Sequence, residues 1–341
     1  MTPSRTTLGL IIAVVAAFAF GTSGALVKPL LEAGWSPAAA ATSRALTGGI
    51  VLAPFAIFAL RGKWATLWQS RWRILAMALI GVAGTQLAYF AAIARLPVST
   101  AILVEYMSPI LLVIAVWVRM RRMPKVVVLI GSVVALAGLV LVVSPSGTAK
   151  LDVLGLAIAS LATLGNATYF VVAARPSNGL PPVAFAAAGL LIGGTVLGLV
   201  GLTTLIPLKG TFGTVPFAGH DAPWWLPLIL VGVIATAIAY ATSIASTEIL
   251  GARLGSFLGL LEVIAAAMYA WLLLGEALSL LQILGGALIL AGIAFVRSDR
   301  RDPVMELTGP IELPPLPRTQ PIDLPDLPNA PPPAVTPAVR P

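Results

Sequence analysis

The segment that decides the fold runs from Val98 to Lys125 and reads VSTAILVEYMSPILLVIAVWVRMRRMPK. About twenty apolar positions, enough to cross a bilayer, include one carboxylate, Glu105, and one proline, Pro109. A basic group that begins at Arg119 follows the apolar run, as is typical of a cytoplasmic helix end. Because a carboxylate is costly in hydrocarbon, Glu105 is a candidate functional residue. Pro109 predicts a helix kink in the same segment.

The composition of the whole chain has the same character. Of 341 residues, 58% are hydrophobic and only 10% are charged, whereas a soluble domain carries about 25% charged residues. The sequence therefore predicts an integral membrane protein. The net charge of +8 is spread between apolar runs rather than gathered on one patch, so no nucleic-acid partner is predicted. With no cysteine and a single histidine, His220, we predict no disulfide, no metal site and no cofactor.

Ten apolar segments, bounded by charged residues, proline or glycine, are each long enough for roughly 30 Å of hydrocarbon. They predict an all-α integral membrane protein with ten transmembrane helices. The predicted spans are 8–27, 38–60, 74–94, 98–118, 125–143, 153–173, 183–206, 225–246, 254–274 and 279–297.

The positions of lysine and arginine predict the orientation. If the N-terminus is inside, the inner segments before residue 302 hold fourteen of these residues and the outer loops hold four. Because cytoplasmic loops carry the excess of positive charge, both termini are predicted to be cytoplasmic. We expect a multi-pass protein of the bacterial inner (plasma) membrane. Residues 301–341 are rich in proline and lack an apolar face, so they predict a disordered cytoplasmic tail.

The chain contains a repeat. Leu87-Ala88-Tyr89 aligns with Ile238-Ala239-Tyr240, and Val134-Ala135-Leu136-Ala137-Gly138 aligns with Leu288-Ile289-Leu290-Ala291-Gly292. Each half has five spans, an odd number, so the second half must enter the membrane upside down. We therefore predict two inverted five-helix repeats, residues 1–146 and 147–300. Inverted repeats are typical of alternating-access carriers, whose site lies near mid-membrane between the halves.

With these halves, the Leu-Pro-Val-Ser-Thr-Ala sequence at 96–101 and the Trp-Leu-Leu-Leu-Gly-Glu-Ala-Leu sequence at 271–278 resemble the EamA-type family of the drug/metabolite transporter superfamily. The segment at 103–109 is similar to that of members that export amino acids. Arg122-Met123-Pro124 departs from the family's usual Gly-Glu. Glu262-Val263 stands where a proline is common, so symmetric kinking of spans 4 and 9 does not follow from the sequence.

Three ionisable residues lie well inside predicted spans: Arg44, Glu105 and Glu262. Arg44 and Glu105 lie roughly 9 Å and 10 Å below the outer face, so the two can pair. Such a pair is either an outer gate or substrate contact, with Glu105 able to accept a proton, or a static contact that stabilises the fold. Glu262 lies roughly 12 Å from the inner face. It is either a coupling or substrate residue or a protonated carboxyl bonded to a neighbouring helix.

Polar and aromatic residues at helical spacing form a second set of candidates. They supply the donors and acceptors that an amino or carboxyl group needs in an apolar cavity. The alternative is that they hold helices together. The set consists of Gln86 and Tyr89, Asn166 and Tyr169, Thr236 and Tyr240, and Thr22 and Ser23.

These features together predict a secondary transporter that exports small metabolites, with amino acids as the predicted cargo. Its predicted partners are a small-molecule substrate and the lipid bilayer. The energy would come from a proton gradient or from the gradient of the solute itself. The alternatives are an importer of a small metabolite and a non-transporting structural or partner protein. An enzyme is not predicted, because no nucleophile–base pair or metal set lies within the spans, and the absence of a Walker A sequence argues against direct ATP drive.

Overall fold

The computed structural model describes residues 5–96, 98–121, 123–143, 152–203, 205–217, 219–274 and 278–299. Within these residues, ten helical segments are long and apolar enough to cross a membrane, which confirms the predicted number. The proline-rich tail and the predicted boundary between the halves at residues 146 and 147 lie outside the described residues.

Of the first five spans, spans 1, 2 and 5 are continuous helices, and spans 3 and 4 are interrupted. Span 3 combines α-helix with a π-helical segment, and span 4 consists of two helices. The bounds are α1 Arg5–Glu32 (span 1), α2 Pro37–Ala59 (span 2), the short α3 Trp64–Gln69, α4 Arg71–Ala76 with the π-helix Met77–Gly84 and α5 Thr85–Ile93 (span 3), α6 Val98–Glu105 and α7 Ser108–Met120 (span 4), and α8 Val126–Val143 (span 5).

The second five spans follow the same sequence of types. They are α9 Val153–Ala174 (span 6), α10 Pro182–Leu202 (span 7), α11 Trp225–Gly232 with the π-helix Val233–Ile238 and α12 Ala239–Leu250 (span 8), α13 Ala252–Gly259 and α14 Leu261–Leu274 (span 9), and α15 Leu280–Ser298 (span 10). The predicted spans agree with these bounds to within a few residues, except that α1 continues to Glu32.

A two-stranded antiparallel hairpin before span 8 is an exception to the all-helical prediction. Its strands are β1 Thr214–Phe217 and β2 His220–Pro223. Directly after it, Trp224 stacks on Trp35, with 5.8 Å between ring centroids. Trp224 therefore packs against the connection between spans 1 and 2 within the protein.

Spans 3 and 8 carry equivalent irregularities. The Thr85 hydroxyl donates to the Ile80 carbonyl at 3.0 Å, and the Thr236 hydroxyl donates to the Val231 carbonyl at 3.0 Å. Both hydrogen bonds reach five residues back, as the wider turn of a π-helix does. The two threonines differ by 151 positions, the offset that aligns Tyr89 with Tyr240. This agreement is consistent with two inverted copies of one five-helix unit.

Spans 4 and 9 are both interrupted, although only span 4 has a proline there. Pro109 lies in the first turn of α7, where its missing N–H breaks no helical hydrogen bond. In span 9 the interruption falls at Leu260, whose N–H donates to the Phe257 carbonyl three residues back. The preceding Gly259 favours the interruption, because glycine is a poor helix former. Symmetric interruption thus occurs without a second proline.

Spans 5 and 10, one from each half, approach each other through glycine. A Cβ atom built on Gly138 would lie 2.5 Å from the Gly285 carbonyl oxygen, and one on Gly292 would lie 2.6 Å from the Gly131 oxygen. No side chain separates the two backbones at these positions. Close contact of this kind drives helix association in lipid, where no hydrophobic force acts between helices.

The two ends of the bundle differ in their charged contacts. At the end that carries Arg5 of span 1 and Ser298 of span 10, which we call the terminal end, the buried Asp299 carboxylate binds Lys125 at 2.8 Å and Arg253 at 3.2 Å. At the opposite end, the far end, exposed Arg95 binds Asp152 at 3.2 Å. The hydrogen bond from Arg95 holds the pKa of Asp152 below its usual value, and backbone N–H groups at the start of α9 add to the effect. The charged contact at the terminal end is therefore buried, whereas the one at the far end is exposed.

We expect Gly285→Ala to destabilise the protein by roughly 1–3 kcal/mol, because the added methyl group meets the backbone of span 5. Gly286→Ala is the matched control, since its methyl group would meet only Ile264 side-chain atoms at 3.8 Å or more. Thermal unfolding of both variants in detergent measures the difference. Equal melting temperatures for the two variants would contradict the close contact.

Candidate functional site

A cavity of about 690 Å³ lies within the bundle. Among the described residues, every span except span 7 supplies at least one lining residue. The sequence predicts a cavity lined by spans 1, 3, 4, 6, 8 and 9, and the structure adds Arg44 of span 2 and the far ends of spans 5 and 10. The volume is within the range of small-molecule binding sites, roughly 300–1,000 Å³.

The structure brings the predicted site residues together. Nine of the eleven predicted candidates line this cavity, although they come from seven different spans. They are Ser23, Arg44, Gln86, Tyr89, Glu105, Asn166, Tyr169, Tyr240 and Glu262. Pro109 lies beside the interruption of span 4 and is not among the lining residues.

The cavity extends from the middle of the bundle toward the far end. Val142, Val143 and Gln282, which lie at the far ends of spans 5 and 10, are among its lining residues. The buried ion pair of Arg253 and Asp299 at the terminal end is not part of the lining. The lining also includes Gly255 and Ser256, two and three residues from Arg253, so the ion pair lies directly at the terminal-end side of the cavity.

Arg44 is oriented by span 1 rather than by a carboxylate. Its guanidinium donates to the Ser23 hydroxyl oxygen at 2.6 Å. The equal depths of Arg44 and Glu105 allow an ion pair, but the structure does not form it. Among the described residues, no nitrogen–oxygen distance of 4 Å or less joins the two side chains. This structure therefore contains no direct Arg44–Glu105 contact that could stabilise the fold. Both residues line the cavity separately, and this leaves the guanidinium available to an anionic group.

Glu105 and Glu262 lie at the interruptions of spans 4 and 9. Glu105 is the last residue of α6, and Glu262 is in the first turn of α14. The positive end of the α14 dipole stabilises negative charge at Glu262. The hydroxyl of Tyr106 in span 4 lies near the carboxyl group of Glu262 in span 9. Glu262 therefore lies next to a neighbouring helix, as expected of a structural carboxyl group. It also lines the cavity, as expected of a coupling or substrate residue.

Three aromatic rings form one wall of the cavity. Tyr169 meets Tyr240 edge to face, with 5.8 Å between centroids, and Phe20 meets Tyr240 at 5.1 Å. Tyr169 is only 6% exposed, yet its hydroxyl has no hydrogen-bond partner. The Ser243 hydroxyl is nearby, without acceptable hydrogen-bond geometry. A buried hydroxyl without a partner is costly, and a ligand in the cavity would supply one.

Some lining residues were missed by sequence reasoning. On a continuous helix, Tyr106 would point about 100° away from Glu105. The interruption after Glu105 brings both side chains to the cavity. Conversely, Thr22 and Thr236 are absent from the described lining, and their hydroxyls bond to carbonyls of their own helices. These hydrogen bonds stay within single spans, so they support the geometry of each helix and do not join neighbouring helices.

The described residues contain no group of three or more histidine, cysteine, aspartate or glutamate side chains that could hold a metal ion. Ten membrane-spanning helices around one polar cavity define a polytopic protein of the transporter class. The model of the EamA-like transporter family matches residues 7–144 and again residues 153–298. The chain therefore belongs to the EamA-like transporter family, and it is a membrane transporter rather than an enzyme.

Curated relatives agree with this assignment. The chain is 26% identical to the uncharacterized transporter YwfM of Bacillus subtilis, over 84% of this chain and 93% of the relative. It is 25% identical to the uncharacterized inner membrane transporter YicL of Salmonella typhimurium, over 86% of this chain and 96% of that relative. An uncharacterized transporter of Archaeoglobus fulgidus is 29% identical over 61% of this chain and 70% of its own length.

One solved crystal structure shares the fold. It superposes with a TM-score of 0.69 and covers 86% of this chain and 99% of the other chain, at 21% sequence identity. Two consecutive matches to one family model, one over each half, are also consistent with a duplicated five-helix unit.

We expect Tyr169→Phe to stabilise the empty protein by about 1 kcal/mol, because it removes a buried hydroxyl that lacks a partner. Tyr106→Phe is the matched comparison, and it should not stabilise the protein, because the Tyr106 hydroxyl is not a buried group without a partner and lies near the polar Glu262 carboxyl group. Thermal unfolding in detergent without substrate measures both effects. A lower melting temperature for Tyr169→Phe would show that its hydroxyl already has a partner.

Proposed function

We propose that this protein is a secondary carrier that exports amino acids across the bacterial inner membrane by alternating access. The single observation that carries the proposal is the joint position of Arg44, Glu105 and Glu262 on one cavity. A guanidinium recognises a carboxylate, and a carboxylate recognises an ammonium group. Amino acids present both groups a short distance apart.

The remaining lining fits the side-chain part of such a substrate. Phe20 and Tyr240 give an aromatic wall, and the small residues Ala13, Ala16 and Ala17 of span 1 leave room beside it. An apolar cavity with a few convergent polar groups is the usual form of a small-molecule site. This division into polar and apolar parts supports an amino acid rather than a fully apolar substrate.

The interrupted helices support alternating access. Discontinuous helices at mid-membrane are typical of the substrate sites of secondary carriers. With cytoplasmic termini, the cavity would face outward, and the ion pairs of Asp299 would close the inner side. Rocking of the two halves would open the other side. The driving force would be a proton gradient or the gradient of the substrate.

The test of function is counterflow in proteoliposomes. Vesicles that contain the purified protein are loaded with a mixture of unlabelled amino acids and diluted into single radiolabelled amino acids. We expect transient accumulation of label for at least one amino acid, because a carrier exchanges substrate across the membrane without net driving force. The export direction is tested by efflux from preloaded cells that produce the protein. Protein-free vesicles are the control, and label at their level for every amino acid would reject the proposal.

The orientation has a separate test, which the absence of native cysteine makes direct. Arg61→Cys places a thiol at an exposed position of the terminal end, and Lys209→Cys places one at an exposed position of the far end. A membrane-impermeant maleimide added to intact spheroplasts should label only Lys209→Cys. Disruption of the membrane should expose both thiols. Labelling of Arg61→Cys alone in intact spheroplasts would reverse the proposed orientation.

A further inference from the structure

The charged residues that line the cavity do not balance. Its described lining residues include one guanidinium, that of Arg44, and two carboxyl groups, those of Glu105 and Glu262. A zwitterionic amino acid brings one carboxylate and one ammonium group, so its binding leaves one of the two carboxyl groups without a cationic partner. An ionised carboxylate inside a membrane is costly unless a cation lies beside it. The cavity therefore favours a ligand that brings one additional positive charge.

No protein group supplies that charge. In the described part of the chain, the ion pairs lie at the two ends of the bundle and involve neither Glu105 nor Glu262. Glu262 has the Tyr106 hydroxyl, which carries no charge. The positive charge of Arg44 acts on both glutamates, but one guanidinium can neutralise only one carboxylate. The second carboxyl group therefore has no cationic partner within the described part of the protein.

The surroundings of the carboxylates suit a cation. Glu105 ends α6, where the carbonyl end of the helix carries partial negative charge. Tyr169 and Tyr240 line the same cavity, and the buried Tyr169 hydroxyl has no hydrogen-bond partner among the described residues. An ammonium group that lies over the face of an aromatic ring is attracted by its π-electrons.

We propose that the cavity selects amino acids with net charge +1. In the complex, Arg44 binds the carboxylate of the ligand, and Glu105 and Glu262 bind its two ammonium groups. This inference rests on the proposed function and narrows its substrate class to diamino monocarboxylic acids. Such a ligand gives the occupied cavity a net charge of zero. A cavity of about 690 Å³ has room for the extended chain between the two ammonium groups.

Lysine and norleucine are the matched pair of ligands, because they differ by the terminal ammonium group alone. In counterflow at pH 7, we expect a lysine rate roughly tenfold above that of norleucine, equivalent to about 1.4 kcal/mol of selectivity. Lysine should also raise the melting temperature of the wild-type protein in detergent, and norleucine should not. This binding measurement needs no variant and no transport.

Glu105→Gln and Glu262→Gln each remove one negative charge while they keep the shape of the side chain. Each variant keeps one guanidinium and one carboxylate in the cavity, which match the two charges of a zwitterion. Each variant should therefore prefer norleucine to lysine in counterflow. Glu248→Gln is the matched control. Its carboxylate accepts a hydrogen bond from the Ser177 N–H and lies outside the described lining, so this variant should keep the wild-type preference for lysine.

Two results would overturn the inference and leave the proposed function intact. The first is wild-type counterflow that favours norleucine, with no thermal shift by lysine, which would mean that a proton balances the second carboxylate. The second is a lysine preference that survives in both cavity variants. Absence of counterflow for every amino acid would reject the proposed function and the inference together.

Discussion

The need to balance charge inside an apolar bundle governs the centre of this structure. Arg44, Glu105 and Glu262 come from three spans, and each would be costly if it faced lipid. All three face one cavity, where a solute or water can reach them. The interruptions of spans 4 and 9 serve this arrangement, because they end or begin helices beside the two carboxylates. The cavity is therefore the place where the bundle tolerates charge.

The duplicated architecture does not produce a symmetric site. With an offset of 154 positions, Glu105 corresponds to Gly259 and Glu262 corresponds to Ser108. Both positions flank the interruption of their span, but the two halves place the acid on opposite sides of it. One carboxylate therefore lies at the carbonyl end of a short helix and the other at the amide end. The same backbone arrangement gives two chemically different environments.

Much of the fold could be predicted because a lipid bilayer restricts both the length and the composition of the segments that cross it. Ten apolar runs of membrane-spanning length gave ten spans, and polar residues at helical spacing identified side chains that the structure places on one cavity. Details that depend on local backbone geometry could not be predicted. The interruption at Leu260 has no proline to indicate it, and Tyr106 reaches the cavity only because α6 ends before it. The hydrogen bond from Arg44 to Ser23 depends on how spans 1 and 2 meet, which periodicity does not contain.

The glycine contact between spans 5 and 10 limits how the halves can move. Because the backbones of spans 5 and 10 are in contact, the two helices cannot slide past each other or separate without losing that packing. A change of access that preserves the contact turns one half about an axis running along this pair. Displacement then grows with distance from that axis, so spans on the opposite side of the bundle travel farthest. In such a change of access, the flank formed by spans 5 and 10 would be the pivot.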